Sequence, residues 1–142
     1  MTAGKTPGME PEKASARLRT AGLRPTRQRV ALADLLFRQG DRHVTAESLH
    51  GEAKAVGCKV SLATVYNTLH QFTEVGLLQQ VVVEAARFYF DTNLGDHQHF
   101  YDEEDGALTD IPAGTIAVSG VPAPPEGTQI ARVDVVVRIT RN

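Results

Sequence analysis

The sequence predicts an α+β fold in two parts, an N-terminal domain over residues 1–91 and a small C-terminal α/β domain over residues 92–142. Two observations predict it. From Pro11 to Val75, apolar residues recur at helical spacing in runs that are each followed by a glycine. From Leu77 onward, they lie in short, β-rich runs separated by turn-forming residues. A chain of 142 residues is long enough for one domain or two very small ones.

The N-terminal domain is predicted to contain four helices. The first covers 12–21 and stops at Gly22. The second begins around Pro25, whose missing N–H is not needed in a first turn, and runs to Gly40. The third and fourth are capped by Thr45 and Ser61 and end at glycines. Their expected buried faces are Leu49, Ala53 and Val56 in the third helix and Leu62, Val65, Leu69, Phe72 and Val75 in the fourth.

A β-hairpin follows the fourth helix. The runs 77–83 and 87–91 are rich in β-branched and aromatic residues and are separated by Glu84-Ala85-Ala86. Two helices joined by a short turn, the second with polar residues outward, form a helix-turn-helix arrangement. A hairpin directly after it is the wing of a winged helix, so we expect residues 1–91 to form a winged-helix DNA-binding domain.

The C-terminal domain is predicted to be β-rich. Strands are expected at 97–101, 108–111 and 130–139, with a short helix over 113–119. A segment of about 50 residues seldom sustains a core alone. Since the last strand is long and apolar, we expect it to pair across a homodimer interface, where it would not form an exposed edge. A single α/β domain is the alternative.

Charge is distributed unevenly, although the net charge is only −2. Between Lys13 and Arg42, eight basic residues are accompanied by two acidic ones. Between Asp91 and Asp110, seven acidic residues occur without a lysine or arginine. This asymmetry is typical of a polyanion-binding module joined to a cation-binding module. The alternative is a solvated, charged helix followed by an acidic loop.

Several classes of protein are excluded by what the sequence lacks. No run of about 18 apolar residues is present, so no membrane span is expected, and the N-terminal residues lack the apolar segment of a secretory signal. The single cysteine, Cys58, excludes an internal disulfide framework, and it excludes a structural zinc site with four cysteine ligands from one chain. A cytoplasmic protein is therefore expected. No nucleophile–base arrangement or glycine-rich phosphate loop indicates an enzyme.

Nine residues are candidates for contact with double-stranded DNA. Asn67 on the fourth helix can pair with adenine in the major groove, and Arg24 is suited to a narrow, AT-rich minor groove. The other arginines are expected at the phosphate backbone and in the wing. For each residue alone, an ordinary solvated side chain is the alternative. The full set is Arg24, Arg27, Arg29, Ser61, Ala63, Thr64, Tyr66, Asn67 and Arg87.

A histidine pair in the acidic segment indicates a metal site. His97 and His99 are separated by one residue, so in a strand both imidazoles point to the same face. Two or three imidazoles with two carboxylates suit Fe²⁺, Mn²⁺ or Zn²⁺. The alternative is a pair of exposed strand histidines that bind nothing. Further ligands can come from His43, Asp91, Asp96 and Asp110.

Three segments together resemble the ferric uptake regulator (Fur) superfamily. They are Gly22–Arg29 (GLRPTRQR), His43–Glu47 (HVTAE) and Ser61–Leu69 (SLATVYNTL), the last with the Ala-Thr-Val-Tyr core of the family's recognition helix. The resemblance implies a homodimer with an N-terminal winged helix, a C-terminal dimerisation domain and a sensing site between the domains. Carried over by motif, the ligands are His43, Asp91, His97, His99 and Asp110, with aspartate at two positions where the family usually has glutamate.

Departures from the family pattern resemble its iron response regulator (Irr) branch. The family's Cys-X-X-Cys falls at Asp102 and Asp105, so the usual structural zinc is absent. That branch regulates iron and haem genes in response to haem rather than free iron, which implies haem at His97 and His99.

Two other functions remain open. A metal-activated Fur-type or peroxide-sensing (PerR-like) repressor of the same superfamily would use the same ligands. A small metalloenzyme built on the His/Asp cluster belongs to another class, and no base or pocket motif supports it.

Overall fold

The structure, a computed structural model, describes residues 11–84, 87–95 and 97–142. These residues form two compact units that divide between Leu94 and Gly95. The helices are α1 (Pro11–Thr20), α2 (Arg27–Phe37), α3 (Ala46–Ala55) and α4 (Leu62–Glu74). The strands are β1 (His43–Val44), β2 (Gln79–Glu84), β3 (Arg87–Asp91), β4 (Gln98–Asp102), β5 (Leu108–Ile111) and β6 (Val136–Ile139). The predicted α+β fold is confirmed.

Side-chain caps fix where three helices begin. Thr45 Oγ1 accepts the backbone N–H of Ser48, and Ser48 Oγ accepts that of Thr45, both at 3.0 Å, which is a complete capping box. Ser61 Oγ accepts the N–H of Thr64 at 3.1 Å. Both predicted caps are therefore confirmed. Thr26 also caps α2, so that helix begins one residue after it.

The core of the N-terminal unit is formed by apolar residues of all four helices and of the adjoining sheet, and α2 is buried on all sides from Leu32 to Phe37. α1 contributes Ala14 and Leu18, and α4 contributes Val65, Leu69 and Phe72, all fully buried. Burying a leucine or phenylalanine side chain contributes about 1.5–3 kcal/mol. This core stabilises helices whose outer faces are polar, and it leaves the outer face of α4 free for another role.

Three residues expected on buried faces are exposed. Val56 is 62% exposed because α3 ends one residue before it. Leu62 and Val75 are 41% and 36% exposed because they lie at the two ends of α4, outside its central turns. The apolar spacing in the sequence therefore extends further along α3 and α4 than the face that packs into the core.

A three-stranded antiparallel sheet in the order β1-β3-β2 completes the N-terminal unit. β2 and β3 form the predicted hairpin, and its turn residues Ala85 and Ala86 lie outside the described residues. The strand β1 is not predicted by the sequence. His43 lies opposite Asp91 in the register of β1 with β3. The extra strand thus places an imidazole beside the end of the hairpin.

The C-terminal unit contains a second sheet, in the order β5-β4-β6, in which β6 runs parallel to β4. The strand expected over 130–139 forms only over Val136–Ile139, where β4 offers residues to pair with. The helix expected over 113–119 is not formed. Gly114 lies there in a turn with a φ of +82°, which a right-handed helix cannot accommodate.

In the sheet described, β6 pairs with β4 of its own chain and is an edge strand. Its expected pairing across a dimer interface stays a prediction. Within the described ranges, no helix combines the length and the apolar character needed to cross a lipid bilayer.

Candidate DNA interface and metal centre

The polar face of α4 is the candidate surface for DNA. Val65, Leu69 and Phe72 anchor its opposite face in the core. The polar residues therefore stay exposed or half-buried, and one ordered helix with its cap carries five of the nine predicted DNA-facing residues. These are Ser61, Ala63, Thr64, Tyr66 and Asn67.

Ser61 and Thr64 also have a local structural role. The Ser61 hydroxyl accepts the Thr64 N–H and donates to Thr64 Oγ1 at 2.9 Å. These bonds satisfy a backbone donor that the first turn would otherwise leave unpaired. Both hydroxyls therefore stabilise the start of α4.

The predicted arginines differ in how they are held. Arg24 and Arg27 are exposed before and at the start of α2. Arg29 is half-buried, and its guanidinium donates to the Arg24 carbonyl oxygen at 2.9 Å and to Gln71 Oε1 at 3.2 Å. The side chain of Arg87 lies outside the described residues. Gln71 was missed by the sequence analysis, although it lies four residues beyond Asn67 on the exposed side of α4.

In the N-terminal unit, an imidazole meets a buried carboxylate. His43 Nε2 lies 3.2 Å from Asp91 Oδ2, and Asp91 is fully buried. The other carboxylate oxygen accepts the backbone N–H of Asn93 at 2.8 Å. A buried carboxylate is costly unless it is paired. This pair therefore suits either a protonated histidine or a neutral histidine that shares a metal ion with the aspartate.

Arg42 fixes the backbone next to this pair. Its guanidinium pairs with both carboxylate oxygens of Glu52 on α3, and Nη1 also donates to the Leu35 carbonyl at 3.2 Å. Its backbone N–H donates to Thr92 Oγ1 at 2.9 Å. The residues preceding His43 and following Asp91 are thus fastened together. Sequence reasoning counted Arg42 only as part of the basic half of the chain.

In the C-terminal unit, two imidazoles converge on one carboxylate oxygen. His97 Nε2 and His99 Nε2 lie 3.4 and 3.5 Å from Asp110 Oδ1, and the two rings are 4.6 Å apart. The register of β4 with β5 places His99 opposite Asp110. The predicted same-face placement of the two histidines is consistent with this arrangement.

The donor set of the C-terminal group fits a cation. His97 Nδ1 is 2.7 Å from the Gly95 carbonyl, which can only accept, so Nδ1 carries the proton. Nε2 of the neutral ring then has a lone pair that faces Asp110. Two lone pairs repel each other unless a proton or a metal ion lies between them, and imidazole with carboxylate suits Fe²⁺, Mn²⁺ or Zn²⁺.

An ionic cluster surrounds Asp102 and Asp105, where the family resemblance places Cys-X-X-Cys. Arg141 contacts Asp102 Oδ2 at 2.6 Å, Asp105 Oδ2 at 2.9 Å and Glu104 Oε2 at 3.1 Å. The backbone N–H of Glu104 is the main cause that holds the pKa of Asp102 below its ordinary value, and Arg141 adds to it. The cluster joins the β4–β5 turn to the chain after β6. The predicted ligand Asp96 lies outside the described residues.

The sequence of the chain is similar to a protein family and to characterised proteins. The model of the ferric uptake regulator family matches residues 20–136. The peroxide-responsive repressor PerR of Staphylococcus aureus is 32% identical over 102 residues, which are 72% of this chain and 68% of that protein. The ferric uptake regulation protein of Neisseria gonorrhoeae is 29% identical over 97 residues, which are 68% of this chain and 67% of that protein.

Solved structures agree on the fold. The ferric uptake regulator of Pseudomonas aeruginosa, solved with manganese, superposes with a TM-score of 0.66 at 23% identity, over 90% of this chain and 97% of that one. At this identity the likeness concerns the fold. Since the family model spans most of the sequence, the chain belongs to the ferric uptake regulator family.

Proposed function

We propose that the chain is a homodimeric, sequence-specific DNA-binding regulator of iron and haem genes, of the iron response regulator branch. Family membership makes it a transcription regulator and sets aside the metalloenzyme alternative. The observation that carries the proposal is the grouping of the predicted ligands into imidazole–carboxylate sets, one in each unit, on a chain that also presents a polar recognition helix.

The proposal for DNA rests on α4 and the segment before α2. Tyr66 and Asn67 are exposed on a helix whose other face is fixed in the core, so they can reach base edges in the major groove. The positive charges of Arg24 and Arg27 suit the phosphates or a narrow minor groove. In a homodimer, two such helices would reach successive major grooves about one helical turn apart.

The proposal for the metal centre is that His43, Asp91, His97, His99 and Asp110 bind one ion. That both groups serve one ion is inferred from the family resemblance and from the five-residue stretch between Asp91 and His97. Manganese is present in the structure of the Pseudomonas aeruginosa relative. Bound there, a divalent ion would neutralise the carboxylates and relieve the repulsion between lone pairs.

Haem is proposed as the effector on the evidence of the sequence. His97 and His99 supply imidazoles able to ligate haem iron, and the absence of Cys-X-X-Cys resembles the branch that responds to haem. The effector would act by linkage, because a ligand that binds one conformation better shifts the population toward it. A coupling of about 1–3 kcal/mol would change DNA affinity about 5- to 150-fold.

The test is fluorescence anisotropy of the purified, metal-stripped protein on an AT-rich iron-control operator at fixed salt, with MnCl₂ or haemin titrated in. Fixed salt is needed because phosphate contacts make affinity depend on salt. Tight binding without added metal that is lost on adding haemin would support the proposal. Absence of sequence-specific binding under every condition would overturn it.

Substitution of the ligands provides the control. His97→Ala and His99→Ala are expected to abolish the response and leave the fold intact. His50→Gln is the matched control, because His50 Nε2 contacts the Val60 carbonyl at 3.0 Å on a different part of the chain. Unfolding of both ligand variants, or loss of the response in His50→Gln, would count against the assignment of the site.

A metal-activated or peroxide-sensing repressor is the second candidate. It is favoured by the 32% identity to a peroxide-responsive repressor and by the His/Asp donor set, which suits Mn²⁺ or Fe²⁺ without haem. Binding that appears only with Mn²⁺, with haemin inert, would support this candidate instead.

A further inference from the structure

The imidazole of His70 lies between two aromatic rings of the N-terminal unit. Its centroid is 4.5 Å from that of Tyr66, with the planes at 61°, and 5.4 Å from that of Phe90, with the planes at 89°. Both contacts are edge-to-face, the arrangement that aromatic quadrupoles favour. Tyr66 is 37% exposed, whereas Phe90 is fully buried in the core. The three rings therefore connect the core with the polar face of α4.

We infer that His70 is a positioning residue for DNA recognition and that it acts by holding the Tyr66 ring. This inference rests on the proposed function, in which Tyr66 contacts DNA. Tyr66 and His70 are four residues apart on one helix and so are neighbours on its surface. His70 is in turn fixed by Phe90 on β3.

The advantage of these edge-to-face contacts is that the Tyr66 side chain is ordered before DNA binds. An exposed side chain that must be immobilised on binding loses rotamer freedom, and this loss weakens the complex. A ring already held by a neighbour has lost that freedom in the free protein. Replacing His70 should therefore weaken binding only in so far as Tyr66 takes part in it.

A double-mutant cycle tests this coupling. An operator is first selected from a random-sequence duplex pool with the full-length wild-type protein, in whichever effector state binds DNA. We expect His70→Ala to weaken binding to that operator by about two- to tenfold, the range for one immobilised side chain. The double variant Tyr66→Ala/His70→Ala should bind no more weakly than Tyr66→Ala alone. His70→Phe, which retains a ring, should stay within about twofold of the wild type, since the edge-to-face contact with Tyr66 is preserved.

Each other outcome counts against the inference. His70→Ala binding as tightly as wild type, additive losses in the double variant, or no rescue by His70→Phe would each overturn it. If His70→Ala does not fold, His70→Gln replaces it in the same cycle. Failure of the wild type to enrich any sequence would overturn the proposed function and the inference with it. If the wild type binds its operator but the cycle shows no coupling between Tyr66 and His70, the inference is overturned and the proposed function is not.

Discussion

Arg29 on α2 donates a hydrogen bond from Nη2 to Gln71 Oε1 on α4 across 3.2 Å. The same guanidinium donates from Nη1 to the Arg24 carbonyl oxygen. The segment before α2 is thereby tied to the helix proposed to enter the major groove. A guanidinium with two protein acceptors has fewer donors left for a phosphate. We therefore expect Arg29 to position Arg24 relative to α4, and its predicted contact with the phosphate backbone stays a prediction.

The Arg29→Ala variant is expected to bind the operator about two- to tenfold more weakly. It loses its bonds to Arg24 and Gln71, and this range is the effect of losing the one bond that reaches α4, the bond to Gln71. The slope of log affinity against log salt should not change, because that slope counts neutralised phosphates. Anisotropy titrations at four or more salt concentrations measure both quantities.

Arg27→Ala is the matched control, because Arg27 is exposed at the start of the same helix. It should lower the slope by about 0.9, the value for one phosphate contact. Gln71→Ala should reproduce Arg29→Ala without adding to it. A slope that falls in Arg29→Ala as much as in Arg27→Ala would show that Arg29 contacts a phosphate after all.

Arg42→Ala is expected to weaken Mn²⁺ binding about tenfold, at the low end of the effect of residues that orient metal ligands. Arg42 contacts neither ligand, but its guanidinium joins the residue before His43 to Glu52 on α3. The variant loses this link, whereas it keeps the bond from the backbone N–H of residue 42 to Thr92. Isothermal titration with MnCl₂ at pH 7 measures the affinity.

Glu52→Ala should have the same effect as Arg42→Ala, since it removes the other partner of the ion pair. Lys54→Ala is the control, because Lys54 is an exposed cation on the same helix as Glu52. Equal losses of Mn²⁺ affinity in Lys54→Ala and Arg42→Ala would mean that the Arg42–Glu52 pair has no specific role at the site.

The helix starts were predictable because their signals are local. Thr45 and Ser61 are capping residues, and each cap bonds to an N–H only three residues away. The strand β1 was not predictable, because two residues carry no periodicity and their pairing partner is distant in sequence. The last strand was overpredicted for the same reason. β-propensity describes the segment itself, whereas the length of a strand depends on how many residues of the neighbouring strand can pair with it.

In the candidate site too, the local features were predictable from the sequence and the long-range ones were not. The spacing of His97 and His99 predicted that they share a face, and both approach Asp110. The residues that support the site act across the fold instead. The bonds of Arg29 with Gln71 and of Arg42 with Glu52 join separate elements, so no local pattern in the sequence could indicate them.

Asp102 is expected to make stability depend on pH in the acid range. Its pKa is lower in the folded chain than the ordinary value of 3.8, mainly through the Glu104 N–H. The charged form thus favours folding. The charge of Asp102 contributes fully to the free energy of unfolding at a pH above the pKa of the unfolded chain. This contribution is lost as the pH falls through the pKa of the folded chain.

Asp102→Asn removes that charge and keeps an oxygen that can accept the Glu104 N–H. Urea unfolding of both proteins should therefore show a constant stability difference from pH 5 to 7 that shrinks below about pH 4, near the pKa of a free aspartate. A difference that does not change with pH would mean that the charge contributes nothing.

Arg141→Ala is expected to destabilise the C-terminal unit, and more strongly at low salt. Removing the guanidinium leaves Asp102, Glu104 and Asp105 close together without their cation. Salt screens this repulsion, since the Debye length falls from about 10 Å at 0.1 M to about 3 Å at 1 M. Hydrogen exchange of the β4 and β5 amides in 0.05 M and 1 M NaCl measures the stability of the C-terminal unit.

Arg132→Ala is the control, because Arg132 pairs with Asp134 two residues away, outside the sheet. If both variants exchange alike at both salt concentrations, the Arg141 cluster does not stabilise the turn between β4 and β5.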